Sequence, residues 1–68
     1  MINIMWSIKK INNNCIKCLK NDQEAVIIYR EGNKWKGHVL GADRLIEGSS
    51  FKKVAIDTMA LAEECGWS

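Results

Sequence analysis

Three cysteines and one histidine are the residues of this chain whose chemistry could hold a metal or attack a substrate. Cys15 and Cys18 form a C-x-x-C, the spacing that gives a tetrahedral zinc site two of its four ligands. His38 and Cys65 are the remaining candidates, and the four together follow no standard zinc module. As a redox pair the motif would want a helix N-terminus, whose dipole lowers a thiol pKa. Its neighbours here are asparagines and lysines instead. Cys15 and Cys18 are therefore weak metal candidates, read first as small apolar residues, and no metal or cofactor is expected.

His38 lies on an expected strand face with Lys36 and Leu40, and no serine, cysteine or carboxylate is placed by spacing as its partner. Asp43, Glu47 and Asp57 are single carboxylates without a pairing signal, and they read as turn and surface residues. A chain of 68 residues also leaves little room for a catalytic pocket. A non-enzyme is expected.

A second kind of chemistry is offered by Arg30, Lys34, Lys36, Lys52 and Lys53 with Trp35 among them. Basic side chains interleaved with an aromatic suit nucleic-acid backbones and base stacking. The competing reading puts Trp35 in the core with Arg30 across from it and leaves the lysines solvated. Trp6, Trp35 and Trp67 cannot all be central in so short a chain, and an exposed tryptophan suits a protein interface.

Composition sets the bounds. Ten basic against eight acidic residues give a formal charge of +2, too mild to assert nucleic-acid binding from charge alone. With 47% hydrophobic residues the chain should fold, as one domain over residues 1–68. No apolar run approaches the span of a bilayer, and the first ten residues lack the basic-then-apolar order of a secretory signal. An odd count of cysteines argues against a disulfide framework and for a reducing, cytoplasmic setting. Abundant Ile, Asn and Lys without proline fits an AT-rich coding source such as a low-GC bacterium or its phage.

These residues must be positioned by an α+β fold. Residues 25–31 and 34–40 are rich in β-branched and aromatic types and flank Gly32-Asn33, a strong signal for a tight antiparallel hairpin. Pairing Glu31 with Lys34 puts Val26, Ile28, Trp35 and Val39 on one face, the expected core face. The other face carries Ala25, Ile27, Tyr29 and Leu40, with Lys36 and His38 among them. Gly41-Ala42-Asp43 is turn-like and leads into a strand at 44–47.

Either Ser49 or Ser50 can cap the helix expected over about 50–65. Its apolar stripe is Phe51, Val54, Ala55, Thr58, Leu61, Ala62 and Cys65. Gly66 stands where a left-handed C-terminal cap is wanted. Lysines in its first turn and glutamates in its last run against the macrodipole. Upstream, residues 2–8 alternate with a period of two and favour a strand. A helix stays open there, because Ile4, Ile8, Ile11 and Cys15 share a helical face. Asn12-Asn13-Asn14 is a turn or loop, and residues 15–20 form a second short strand or a helical turn.

The order strand, Gly-containing turn, strand, loop and then EGSSFKKVAIDTMALAEE resembles the N-terminal module of HicB-type antitoxins over residues 25–64. Gly48-Ser49-Ser50 matches that family's helix cap, while its Pro-containing loop is replaced by Gly41-Ala42-Asp43. The resemblance implies a protein that neutralises a partner by binding it. The same GSSFKKVAIDTMALAEE is similar to the last helix of double-stranded-RNA-binding domains, with Lys52, Lys53 and Ala55 on that family's Lys-Lys-x-Ala run. This second resemblance implies lysines on phosphates and an N-terminal helix. The family's Gly-Pro-x-His loop is missing.

Together these readings describe a small protein-interaction module, antitoxin-like or phage-inhibitor-like, whose expected contact residues are Tyr29, Lys36, His38 and Trp67. If one helix covers the Val26 face, the Ile27 face needs a cover from the N-terminal segment, a second copy in a homodimer, or a partner. The alternative is a basic RNA- or DNA-binding module using Lys34, Lys36, Lys52 and Lys53.

Overall fold

The computed structural model describes residues 6–66. Five strands, β1 (Trp6–Asn12), β2 (Cys15–Lys20), β3 (Gln23–Glu31), β4 (Lys34–Val39) and β5 (Arg44–Gly48), precede one helix, α1 (Phe51–Glu64). They form an antiparallel meander in the order β1-β2-β3-β4-β5, and α1 packs on β3, β4 and β5. This is the expected α+β fold.

Short turns impose the meander. At Gly32-Asn33 only Gly32 takes a positive φ, +63°, the pattern of a type II′ hairpin turn. At Asn21-Asp22 both residues do, with φ of 53° and 66°, the pattern of type I′. The β1–β2 link closes differently: Asn12 Oδ1 accepts from the Asn14 backbone N–H at 2.7 Å, an Asx turn. A bulge at Ile11 precedes it, and a second bulge inserts Ala25 between the pairs Cys18–Val26 and Leu19–Glu24.

The β3–β4 register is the expected one, with Glu31 opposite Lys34, Arg30 opposite Trp35, Ile28 opposite Gly37 and Val26 opposite Val39. One face is the core face. Cys18, Val26, Ile28 and Val39 are fully buried on it beneath Val54, Thr58 and Ala62 of the helix. Each buried Val or Ile contributes about 1.5–3 kcal/mol, so these few side chains hold the layers together. Gly37 lies under the helix in contact range of Thr58, which lets the backbone of β4 and the helix approach closely.

Ser50, not Ser49, caps the helix: its Oγ accepts from the Lys53 backbone N–H at 3.3 Å. At the other end Gly66 has φ of +102° and its N–H reaches the Glu63 carbonyl at 3.2 Å, closing the last turn. No acidic residue stands in the first turn and no basic one in the last, as the sequence indicates.

The N-terminal strand is present: over the described residues it runs Trp6–Asn12, past the expected end at residue 8, and residues 2–5 lie outside the described residues. Residues 6–20 form two strands, so the N-terminal helix implied by the RNA-binding-domain resemblance is not there. Strand alternation also separates the C-x-x-C: Cys18 points into the core while Cys15 lies on the opposite face.

Candidate interaction surfaces

Among the described residues the sheet is covered on one side only. Among the described residues every strand lies in the plane of the sheet and the single helix lies on the Val26 face. The opposite face carries Leu19 from β2, Ile27 and Tyr29 from β3, Lys36 and His38 from β4, and Leu45 from β5. Register makes them contiguous. Tyr29 stands between Cys15 and Lys36, and Ile27 stands between Lys17 and His38, with Leu45 beyond His38. The contrast with the core side is sharp: Leu19, Ile27, Tyr29 and His38 are only half-buried, and Leu45 is 54% exposed.

Two ion pairs frame this patch. Lys36 Nζ donates to Glu31 Oε1 at 2.7 Å, and that hydrogen bond holds its pKa above the usual lysine value. Lys17 pairs with Glu24 at 3.2 Å on the other side. Both long side chains are thus steered towards the rim, leaving Ile27, Tyr29 and His38 at the centre. The aliphatic stems of such lysines extend apolar surface while their charged ends stay wet.

Of the four contact residues expected from the sequence, Tyr29, Lys36 and His38 stand together on this face. Trp67 lies outside the described residues. Leu19, Lys17, Cys15 and Leu45 belong to the same surface, and they come into view once the β2 and β5 registers are known.

The second surface is an end of the molecule. Antiparallel strands bring the β1–β2 turn, the β3–β4 turn and the helix N-terminus to one end. Arg30, Lys34, Lys52 and Lys53 are exposed there. Lys36, expected with them, lies instead on the open face with its charge engaged by Glu31. Arg30 Nε donates to the Gly32 carbonyl at 3.1 Å, which braces the turn. Trp35 stands opposite Arg30 in the register. It packs edge-on to Phe51, ring centroids 4.9 Å apart.

A cleft lies between β5 and the first turns of α1. It is about 260 Å³ and is lined by Glu47, Ser49, Ser50, Lys53 and Asp57, among others. That is below the usual size of a small-molecule site, and its Ser50 hydroxyl already serves as the helix cap. Among the described residues no three of His, Cys, Asp and Glu gather as metal ligands. Cys15, Cys18 and Cys65 are all free thiols, and burial pushes the Cys18 thiol pKa up, away from the thiolate that metal binding or nucleophilic attack needs. No described helix is long and apolar enough to cross a membrane.

Comparison with protein-family models, curated proteins and solved structures gave no match to this chain.

Proposed function

We propose that this chain is a non-enzymatic interaction module that acts by binding a protein partner through the open face of its sheet, in the manner of an antitoxin or a small phage-type inhibitor. One observation carries the reading: among the described residues, a sheet with apolar side chains on both faces has a helix on one of them only. Amphipathic layers bury their apolar faces against another element, and residues 6–20, which could have supplied that cover, extend the sheet edgewise instead.

The composition of the patch fits this reading. An aromatic residue at the centre, aliphatic side chains around it and paired charges at the rim are the arrangement of a protein interface, where a buried aromatic anchor dominates the energy. Tyr29 is that anchor. Tyr29→Ala and His38→Ala, introduced singly, should leave the fold intact, because neither side chain lies in the core.

The test is affinity capture of partners from lysate by the wild-type chain, by each open-face variant and by Ile56→Ala on the exposed side of the helix. A partner held by the wild type and by Ile56→Ala, but lost with Tyr29→Ala, supports the reading. A partner retained equally by all four proteins counts against it.

A further inference from the structure

We propose that the end of the molecule formed by the β3–β4 turn and the first turn of α1 is a docking surface for the phosphate backbone of a nucleic acid. Charge is unevenly distributed between the two ends of the molecule. At this end stand Lys10, Arg30, Lys34, Lys52 and Lys53, against Glu31, Glu47 and, one helical turn on from Lys53, Asp57. At the other end Asp22, Glu24, Asp43, Glu63 and Glu64 outnumber Lys20 and Arg44, while Lys9 and Lys17 face each other mid-strand. A formal charge of only +2 therefore conceals a strongly polarised molecule.

The acids at the basic end do little to neutralise it. Glu31 is committed to Lys36 at 2.7 Å, and Glu47 stands opposite Lys36 in the β4–β5 register. Lys52 and Lys53 sit in the first helical turn, where the helix dipole already presents positive charge and no acidic residue offsets it. An anionic ligand converts that unfavourable placement into a favourable one. A field of one sign over one end draws in a polyanion and orients it.

Spacing favours a polymer over a small anion. From β1, which carries Lys10, to β4, which carries Lys34, is three strand spacings, about 14 Å, so the cations do not converge on one point. Measured along the axis of a duplex, that span covers about four phosphates of one strand at an axial rise of 3.4 Å each. Phe51, 37% exposed and braced edge-on by Trp35, adds a rigid ring among the cations where a base can pack. This surface lies at an end of the strands, whereas the open face lies across them, so the two can be disrupted separately.

The test is fluorescence anisotropy of a labelled single-stranded oligonucleotide and of its duplex, titrated with the full chain at low and moderate salt. With about four phosphates engaged, log K should fall with log salt at a slope of roughly −3 to −4, so affinity drops on the order of 100-fold between 50 and 200 mM. Arg30→Gln combined with Lys52→Gln and Lys53→Gln should weaken binding at least about tenfold and flatten the slope, while Arg44→Gln, a single charge removal at the opposite end, should leave it unchanged. Lys34→Glu on its exposed turn is the second variant should the triple change impair folding, and it should weaken binding in the same direction. Failure to bind either oligonucleotide at low salt would overturn the proposal. So would equal losses from Arg44→Gln and the triple variant, or competition by poly-glutamate as effective as unlabelled oligonucleotide.

Discussion

Gly37 on β4 lies directly beneath Thr58 of the helix, so close that a Cβ built at position 37 would fall 2.9 Å from Thr58 Cβ and closer still to Thr58 Oγ1. Thr58 is itself fully buried, and its hydroxyl donates to the Val54 carbonyl at 2.6 Å. A small strand residue and a polar helix residue that satisfies itself within the helix together set the distance between the two layers. The cost of a polar group in the core is avoided because the hydroxyl has its acceptor.

Gly37→Ala should therefore destabilise the fold by about 1–3 kcal/mol, the usual cost of overpacking a filled core. Thr58→Ala in the same background should recover part of that loss, because it removes the Oγ1 and Cγ2 atoms that obstruct the new methyl. Urea unfolding of the two single variants and the double variant measures the coupling. Strictly additive losses would show that the contact does not set the layer spacing.

The bottom of the sheet is tied to the end of the helix by one carboxylate. Glu63 Oε2 accepts from Lys20 Nζ at 3.1 Å and from Trp6 Nε1 at 3.3 Å, and the Lys20 ammonium lies 5.5 Å from the Trp6 ring centroid. The hydrogen bond from Lys20, then that from Trp6, holds the Glu63 carboxyl below the usual glutamate value. A carboxyl whose pKa is lowered by folding stabilises the fold fully above its unfolded pKa, and loses that contribution as pH falls through the folded one. Thermal melts should thus show a fall in Tm below about pH 4.5, the ordinary glutamate range, that is smaller in Glu63→Gln. An identical acid profile in the two proteins would refute the role given to Glu63.

Two local devices have separable costs. Ser50→Ala removes the Oγ that accepts from the Lys53 N–H, and should cost about 1 kcal/mol. Ser49→Ala, one residue earlier, should cost much less. Equal effects in urea melts would contradict the assignment of the cap to Ser50.

Asp22 occupies a left-handed conformation with φ of 66° in the β2–β3 turn. Asp22→Gly produces Asn-Gly, the favoured type I′ pair, and relieves backbone strain. It should raise stability by up to about 1 kcal/mol. A loss of stability would mean that the Asp22 side chain contributes more than its backbone costs.

Much of this architecture is legible in the sequence, for a physical reason. The β3–β4 hairpin has β-branched residues on both sides of a turn that permits essentially one register, so its facing pairs follow from Gly32-Asn33 alone. The helix is equally plain, because its apolar period, its serine cap and Gly66 all agree. Residues 6–20 are harder. Ile4, Ile8, Ile11 and Cys15 satisfy a helical period while Ile2, Ile4, Trp6 and Ile8 satisfy a strand period, and the pairing of β1 with β2 and of β2 with β3 decides between them. The bulges at Ile11 and Ala25 leave no signal that alternation can detect.

The open face was half visible for the same reason. Tyr29, Lys36 and His38 follow from the hairpin register, while Leu19 and Leu45 depend on pairings made across less distinctive turns. Sequence alternation already sets Lys36 beside His38, and proximity along the chain to Lys34 and Trp35 is what groups it with the basic residues of the hairpin. In the structure that lysine is on the open face, paired with Glu31.

The most direct test of the central claim is photo-crosslinking from a benzoylphenylalanine placed at Tyr29 on the open face, compared with the same group at Ile56 on the exposed side of the helix, in cells of the source. The account predicts a discrete adduct with a different protein from position 29 and none from position 56. Adducts of equal yield from both positions, or none from position 29 while the chain remains folded, would contradict it.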